Sequence, residues 1–243
     1  MRKLSLIALV LAILLLSGCG LFQAKINNDF KRDDLNPSVV DSISVFSNDA
    51  YKMDPKYTND FFVALIRMNL LNVKMTKDYI VILFDILSIR NKDYIDVNWI
   101  MSHLDSKQQK DFNKTFPSGL PRYKNTEEVI RDNKYFADTV TCKPVEVDAH
   151  WAYFSATGDT KIIEKIEKSR HVYGTPCCFD CVEWSLPSRA TENKEVYDKL
   201  TEIRDKNCAE SQNPDSCISY YNQRLIPPKG QCEWAKKNNW TAW

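Results

Sequence analysis

The sequence predicts an all-α fold, with helical hairpins packed as a bundle or a short repeat array and stapled by disulfides. Three observations lead there. Apolar residues recur at helical rather than alternating spacing along most of the body, only 6 of the 243 residues are Gly, and 8 Cys are present. Hydrophobic residues at 44% and aromatics at 12% supply enough apolar surface for a sizeable core. The 33 basic and 32 acidic residues leave a formal charge of +1, without the basic footprint of a nucleic-acid binder. Outside the N-terminal stretch the glycines Gly119, Gly158, Gly174 and Gly230 stand too far apart to build a phosphate loop. HExxH, GxSxG and GxGxxG are missing, so no catalytic residue, cofactor-binding residue or metal ligand is assigned and no cofactor is expected.

Residues 1–18 read as a secretion leader. Arg2 and Lys3 form a positive start, residues 4–16 are an apolar stretch shorter than the about 20 residues a bilayer crossing takes, and Leu16-Ser17-Gly18-Cys19 closes it. That tetrapeptide resembles the lipobox of bacterial lipoproteins. The resemblance implies a diacylglycerol thioether on Cys19, cleavage before it and acylation of the new amino terminus, so that the chain is held to a membrane through acyl chains on Cys19. In such lipoproteins an Asp directly after the cysteine often marks inner-membrane retention; Gly20 stands here, which implies the outer membrane, facing the periplasm. Loss of Arg2 and Lys3 with the leader takes the formal charge from +1 to −1. Residues 19–57, rich in Asn and Asp at their start, read as a lipidated N-terminus and tether, and 58–243 as the helical periplasmic domain.

Within that domain, residues 59–73 are apolar nearly all round, through Phe61, Phe62, Val63, Leu65, Ile66, Leu70 and Leu71, and suit a buried helix. Thr76 is placed to cap the next helix. Its run Ile80-Val81-Ile82 is also compatible with a buried strand, but the partner segment does not alternate and helix is favoured. Apolar content thins over 94–116, and Pro117-Ser118-Gly119-Leu120-Pro121 marks a possible subdivision near 117–125. Residues 145–157 put Val147, Trp151 and Phe154 on one face beside Ala152 and Ala156, with Gly158 as terminator and Asp159 as the next cap. Residues 160–170 follow, Ile162, Ile163 and Ile166 facing inward and Glu164 spaced to pair with Lys168. A second hairpin runs from near Cys181 through Val182, Trp184 and Leu186, then Asn193 as a cap before Val196, Tyr197, Leu200 and Ile203; Pro187 is expected to kink or end its first helix.

Trp151 to Trp184 and Ile163 to Val196 are both offsets of 33, and W-A-Y-F-S-A-T-G-D resembles the first helix of a tetratricopeptide-type repeat. The same region resembles helical bacterial proteins of unknown function, a likeness that implies no activity. Bundle and repeat array both remain open.

Setting Cys19 aside leaves Cys142, Cys177, Cys178, Cys181, Cys208, Cys217 and Cys232 as disulfide candidates, an odd number. Cys208 and Cys217 pair best, one at the end of a helix near Asn207 and the other just inside a helix begun by Asn213 and Pro214; closing that short loop contributes on the order of 2 to 3 kcal/mol. The C-x-x-C of Cys178 and Cys181, with His171 and Cys142, is an alternative tetrahedral zinc or thiol site. Asp148 and His150 are close in sequence, yet residues two apart on a helix point away from each other, so a core or surface histidine is expected. Glu146 and Glu183 read as ordinary helix carboxylates. The C-terminal run holds Trp234, Trp240 and Trp243; docking on the body, pinned through Cys232, is favoured over presentation to a partner or lipid. Together these features predict a protein-binding or assembly-accessory module whose partner is another periplasmic or envelope protein. The alternatives are a thiol- or zinc-dependent protein and a protective lipoprotein of immunity or exclusion type.

Overall fold

The structure is a computed structural model that describes residues 34–41, 48–72, 74–136, 144–169 and 176–237. Among them every regular element is helical, as the periodicity predicts: α1 (Pro37–Asp41), α2 (Thr58–Arg67), α3 (Lys74–Arg90), α4 (Val97–Ser102), α5 (Ser106–Thr115), α6 (Thr126–Asp132), α7 (Pro144–Thr157), α8 (Lys161–Ser169), α9 (Pro176–Glu192), α10 (Lys194–Ala209), α11 (Pro214–Arg224) and α12 (Glu233–Lys237). Short 3₁₀ turns, including Ala50–Lys52 and Lys229–Gln231, link them.

Local chemistry sets the helix starts. Asp105 and Gln108 form a reciprocal capping box on α5, Asp96 caps α4 and Asn125 caps α6. Asn193 accepts from the Val196 amide and Asn213 from the Ser216 amide, with Pro214 in the first turn, as the sequence indicates. Thr76 is not a cap, because α3 already starts at Lys74.

Two apolar clusters share one helix. The first gathers α2, α3, α5 and the 116–129 segment around Phe61, Phe62, Phe84, Phe112 and Phe116, with Phe62 and Phe84 stacked at 3.9 Å. The second gathers α8 to α11 around Ile163, Ile166, Leu186, Leu200 and Leu225. Helix α7 belongs to both: Ala149, Ala152 and Ala156 enter the first cluster, while Val147, Trp151 and Phe154 enter the second. The small side chains let α7 lie close along α3, the most extensive helix pairing among the described residues.

Several expectations are corrected. Across the 117–125 stretch, Leu120 and Val129 share a cluster with Phe112 and Phe116. The two apolar clusters meet along α7, whose two faces enter one each. Within the stretch expected to be a tether, Leu35, Val39, Ala50 and Met53 are buried, and Asp34 forms a bidentate pair with Arg67 at 2.7 and 2.6 Å. Helix α9 runs unbroken through Pro187 to Glu192, its tertiary packing outweighing the lost backbone bond. Glu164 pairs with Lys199 of α10 at 2.7 Å, and Lys168 acts on it only through the longer-range field.

The α7–α8 corner closes as the sequence predicts. Gly158 takes φ +71 and its amide donates to the Phe154 carbonyl at 2.7 Å, while Asp159 accepts from Lys161. A Cβ at Gly158 would lie 2.8 Å from the Tyr51 ring, so backbone handedness and packing both demand glycine.

Two substitutions test this architecture. Ala152→Leu is expected to force α7 off α3 and destabilise by about 1–3 kcal/mol, read as a lower urea midpoint at unchanged slope. Arg122→Ala strips the partner from Asp85, a carboxylate 2% exposed that accepts two bonds from the Arg122 guanidinium, and is expected to destabilise by about 3–5 kcal/mol.

Candidate functional site

One face of α10 carries Tyr197, Thr201 and Arg204 at helical spacing, and these side chains form one wall of a groove. Asn222 of α11 and the segment Ile226, Pro227, Pro228 and Lys229 form the other. The groove encloses about 630 Å³ and is open to solvent along Asp198, Asn222 and Pro228. Its geometry follows from three local devices. The Cys208–Cys217 disulfide ties the end of α10 to the start of α11, with Cα atoms 5.4 Å apart. Pro227 and Pro228 lack amide hydrogens and favour extended backbone, so the chain leaves α11 and lies along α10. Tyr221 of α11 is buried, and its hydroxyl ties α11 to α8 and α10 by donating to Glu167 Oε1 at 2.6 Å and accepting from Asn207 Nδ2 at 2.8 Å.

The groove offers a mixed surface. Arg204 Nη1 donates to Asn222 Oδ1 at 3.0 Å, and its Nη2 lies 2.7 Å from Asp205, so the guanidinium is held across the cleft with its charge partly balanced. Tyr197 and Ile226 supply apolar surface, Lys229 a cation and Asp198 an anion. Such a lining suits an extended peptide segment, gripped by apolar and polar contacts together. The sequence reading singled out Tyr197 only as core. Arg204, Asn222 and Pro227 were passed over, although the spacing 197, 201, 204 was there to be read as a second face of α10.

The cysteines divide. Cys208 and Cys217 are bonded as expected. Cys232, expected among the bridging residues, is a free buried thiol whose Sγ lies 3.7 Å from the Pro228 carbonyl; burial pushes it up to about 11. Cys177, Cys178 and Cys181 fall on the first turns of α9, and their side chains, like Cys19, Cys142 and His171, lie outside the described residues. Among the described residues no three His, Cys, Asp or Glu side chains are grouped to hold a metal ion, and no helix is long and apolar enough to cross a membrane. The C-terminal run docks through Trp234, whose Nε1 donates to the Ala190 carbonyl at 3.1 Å and whose ring meets Tyr197 edge-on at 5.4 Å. Its pin is thus this indole and the buried Cys232 and Ala235 rather than a disulfide. Trp240 and Trp243 lie outside the described residues.

His150 is a core residue, 1% exposed; burial lowers its basicity, and its Nδ1 is 2.7 Å from the Glu146 carbonyl. Asp148 lies on a different face of α7, where burial, opposed by Arg189 and reinforced by Asp78, raises its carboxyl to about 6. The two do not form an acid–base pair.

No family model matches the chain, and neither a curated protein nor a solved structure matches it.

The raised Asp148 carboxyl makes stability pH-dependent with a defined sign. A folded value above the unfolded one means that the folded state holds the proton more tightly, so stability is gained as pH falls from 7 toward 5. That gain is expected to be about 1 kcal/mol for this group and to be abolished in Asp148→Asn, measured as urea midpoints at the two pH values.

Proposed function

We propose that the chain is a lipoprotein anchored through acyl groups on Cys19 to the outer membrane, facing the periplasm, and that its helical domain binds an extended segment of another envelope protein. The observation that carries the binding reading is the stapled α10–α11 groove, whose volume and mixed lining fit a peptide-sized ligand. The anchoring reading rests on the basic start, the apolar stretch and Leu16-Ser17-Gly18-Cys19. A Cys208–Cys217 bond is compatible with it, since such bonds persist in oxidising compartments. In this arrangement the acyl chains supply attachment, the disulfide holds the groove rigid, and the partner's segment orders on a surface already formed, which reduces the entropic cost of binding.

Two experiments test the two halves separately. Cys19→Ser is expected to move the protein from the membrane to the soluble fraction, and the wild-type chain to carry the added mass of its acyl groups on Cys19. An unmodified cysteine would remove the lipoprotein reading. A photo-crosslinking residue at Asp198, on the groove rim, is expected to capture one envelope protein. An identical probe at Asp132, in α6, is expected to capture none. Arg204→Glu is expected to weaken that capture by tenfold or more, as loss of an Arg anchor does, with the unfolding temperature nearly unchanged. Equal capture from both probes would exclude the groove.

A further inference from the structure

We propose that residues 238–243, which lie outside the described residues, dock into the α10–α11 groove of their own chain with Trp240 and Trp243 as anchors, and hold it until a partner's segment displaces them. The inference rests on the groove being a peptide site, as proposed above, and adds its resident occupant.

The described chain delivers this segment to the groove. Pro227, Pro228 and Lys229 belong to one wall, and from them the chain turns through Lys229–Gln231 into Cys232 and α12. Cys232 Sγ lies 3.7 Å from the Pro228 carbonyl, and the Trp234 ring meets Tyr197 of the opposite wall edge-on at 5.4 Å. This stretch is thus seated against both walls at the Tyr197 end. The last residue of α12, Lys237, is three residues past Trp234, an axial rise of about 5 Å. Six further residues, extended at about 3.3–3.6 Å each, reach about 20 Å. The wall from Tyr197 to Arg204 covers seven helical steps, about 10 Å, so the segment can span it whichever way α12 points.

The composition of the segment matches the lining. Asn238-Asn239-Trp240-Thr241-Ala242-Trp243 carries no charged side chain, and charges along the groove already have partners: Arg204 lies 2.7 Å from Asp205, and Asp198 pairs with Lys194. Each indole has about 150–250 Å² to bury, and Tyr197, Ile226, Pro227 and Pro228 offer apolar surface for it. Residues three apart on an extended segment face opposite sides, so Trp240 and Trp243 address the two walls separately. Arg204 and Lys229 add cations of the kind that indole faces attract, as Lys194 already lies 5.9 Å over the Trp234 ring. Thr201, Asp198 and Asn222 supply oxygen acceptors for indole and backbone N–H groups. Held on the same chain, the segment competes at an effective concentration in the millimolar range. An outside segment then binds with an affinity reduced by the fraction of chains whose groove is open.

Photo-crosslinking of the purified full chain in detergent, with no partner present, tests the occupant. A probe at Asp198 is expected to cross-link to residues 238–243, identified by peptide mass, in a species of single-chain mass whose yield does not change on tenfold dilution. The same probe at Asp132 is expected to give no such product. Trp240→Ala combined with Trp243→Ala is expected to reduce the internal cross-link about tenfold, as loss of aromatic anchors does. In cells it is expected to raise capture of the partner at Asp198 about threefold or more, as removal of a competing state does. Capture of a partner without the internal cross-link would overturn this proposal and leave the binding reading standing. The internal cross-link without any captured partner, in wild type and variant alike, would support the resident segment and remove the binding reading. A cross-link confined to two-chain species, one undiminished in the variant, or partner capture that is detected but does not rise in the variant would also overturn the proposal. Should the variant fail to fold, the wild-type cross-link and its dilution series decide.

Discussion

The structure depends on α7 being two helices in one cross-section. Its alanine face, Ala149, Ala152 and Ala156, admits α3 at close range, and its bulky face, Val147, Trp151 and Phe154, fills the space enclosed by α8 to α11. Interiors packed near crystal density do not absorb an added methylene on either side without displacement. Position along α7 is thereby set from both clusters at once, and Arg90 of α3 adds a bond to the Ala156 carbonyl at its C-terminal end. The second cluster is registered to the first through this helix and through Asn48, Asp49 and Lys52, which reach Glu192, Asn193 and Glu195.

Around that shared helix the interior polar groups fall into two kinds. Asp85 with Arg122, and Glu167 with Tyr221 and Asn207, are satisfied networks in which donors and acceptors match, and such groups specify one arrangement of helices. The Arg189 region is of the other kind. One guanidinium lies among three partly buried carboxyls, and the buried Trp151 Nε1 beneath it has no hydrogen-bond partner. A buried donor left unpaired costs about 1–3 kcal/mol, which the cation over the indole face offsets in part. Burial thus raises three carboxyls, Asp49, Asp148 and Glu192, within the field of one cation, Arg189, and it raises Asp85 beside Arg122 as well.

The legible part of the fold was that written in one-dimensional signals. Asn193 and Asn213 announce helix starts, Gly158 announces a stop, and Cys208 and Cys217 stand at a spacing that a helix–turn–helix brings together. What stayed hidden depends on a second surface. The Pro117 to Pro121 stretch looks like a boundary because prolines and glycine break helices, yet Phe116 and Leu120 on either side of the turn are held in one cluster. Pro187 looks like a helix end because it forfeits one bond, yet Leu186 and Ala190 are buried around it. The groove was equally hidden: α10 was read by its buried stripe Val196, Leu200 and Ile203, whereas Tyr197, Thr201 and Arg204 form a half-exposed stripe whose meaning comes from α11 and the two prolines after it.

The same geometry accounts for the free thiol of Cys232. After the Pro227–Pro228 exit the chain turns through Lys229–Gln231 and buries Cys232 before α12 begins, and Trp234 then bonds to α9 and meets the Tyr197 ring. Burial raises the Cys232 thiol far above neutrality, so the nucleophilic thiolate is scarcely populated and the side chain behaves as a small apolar plug. The Cys208–Cys217 disulfide lies at the far end of the α10–α11 pair, where Cys208 is buried but the intervening loop, from Glu210 to Asp215, is largely exposed and has little packing of its own. Covalent closure at one end of the groove and aromatic docking near the other fix both walls without filling the space between them, which keeps the cleft open.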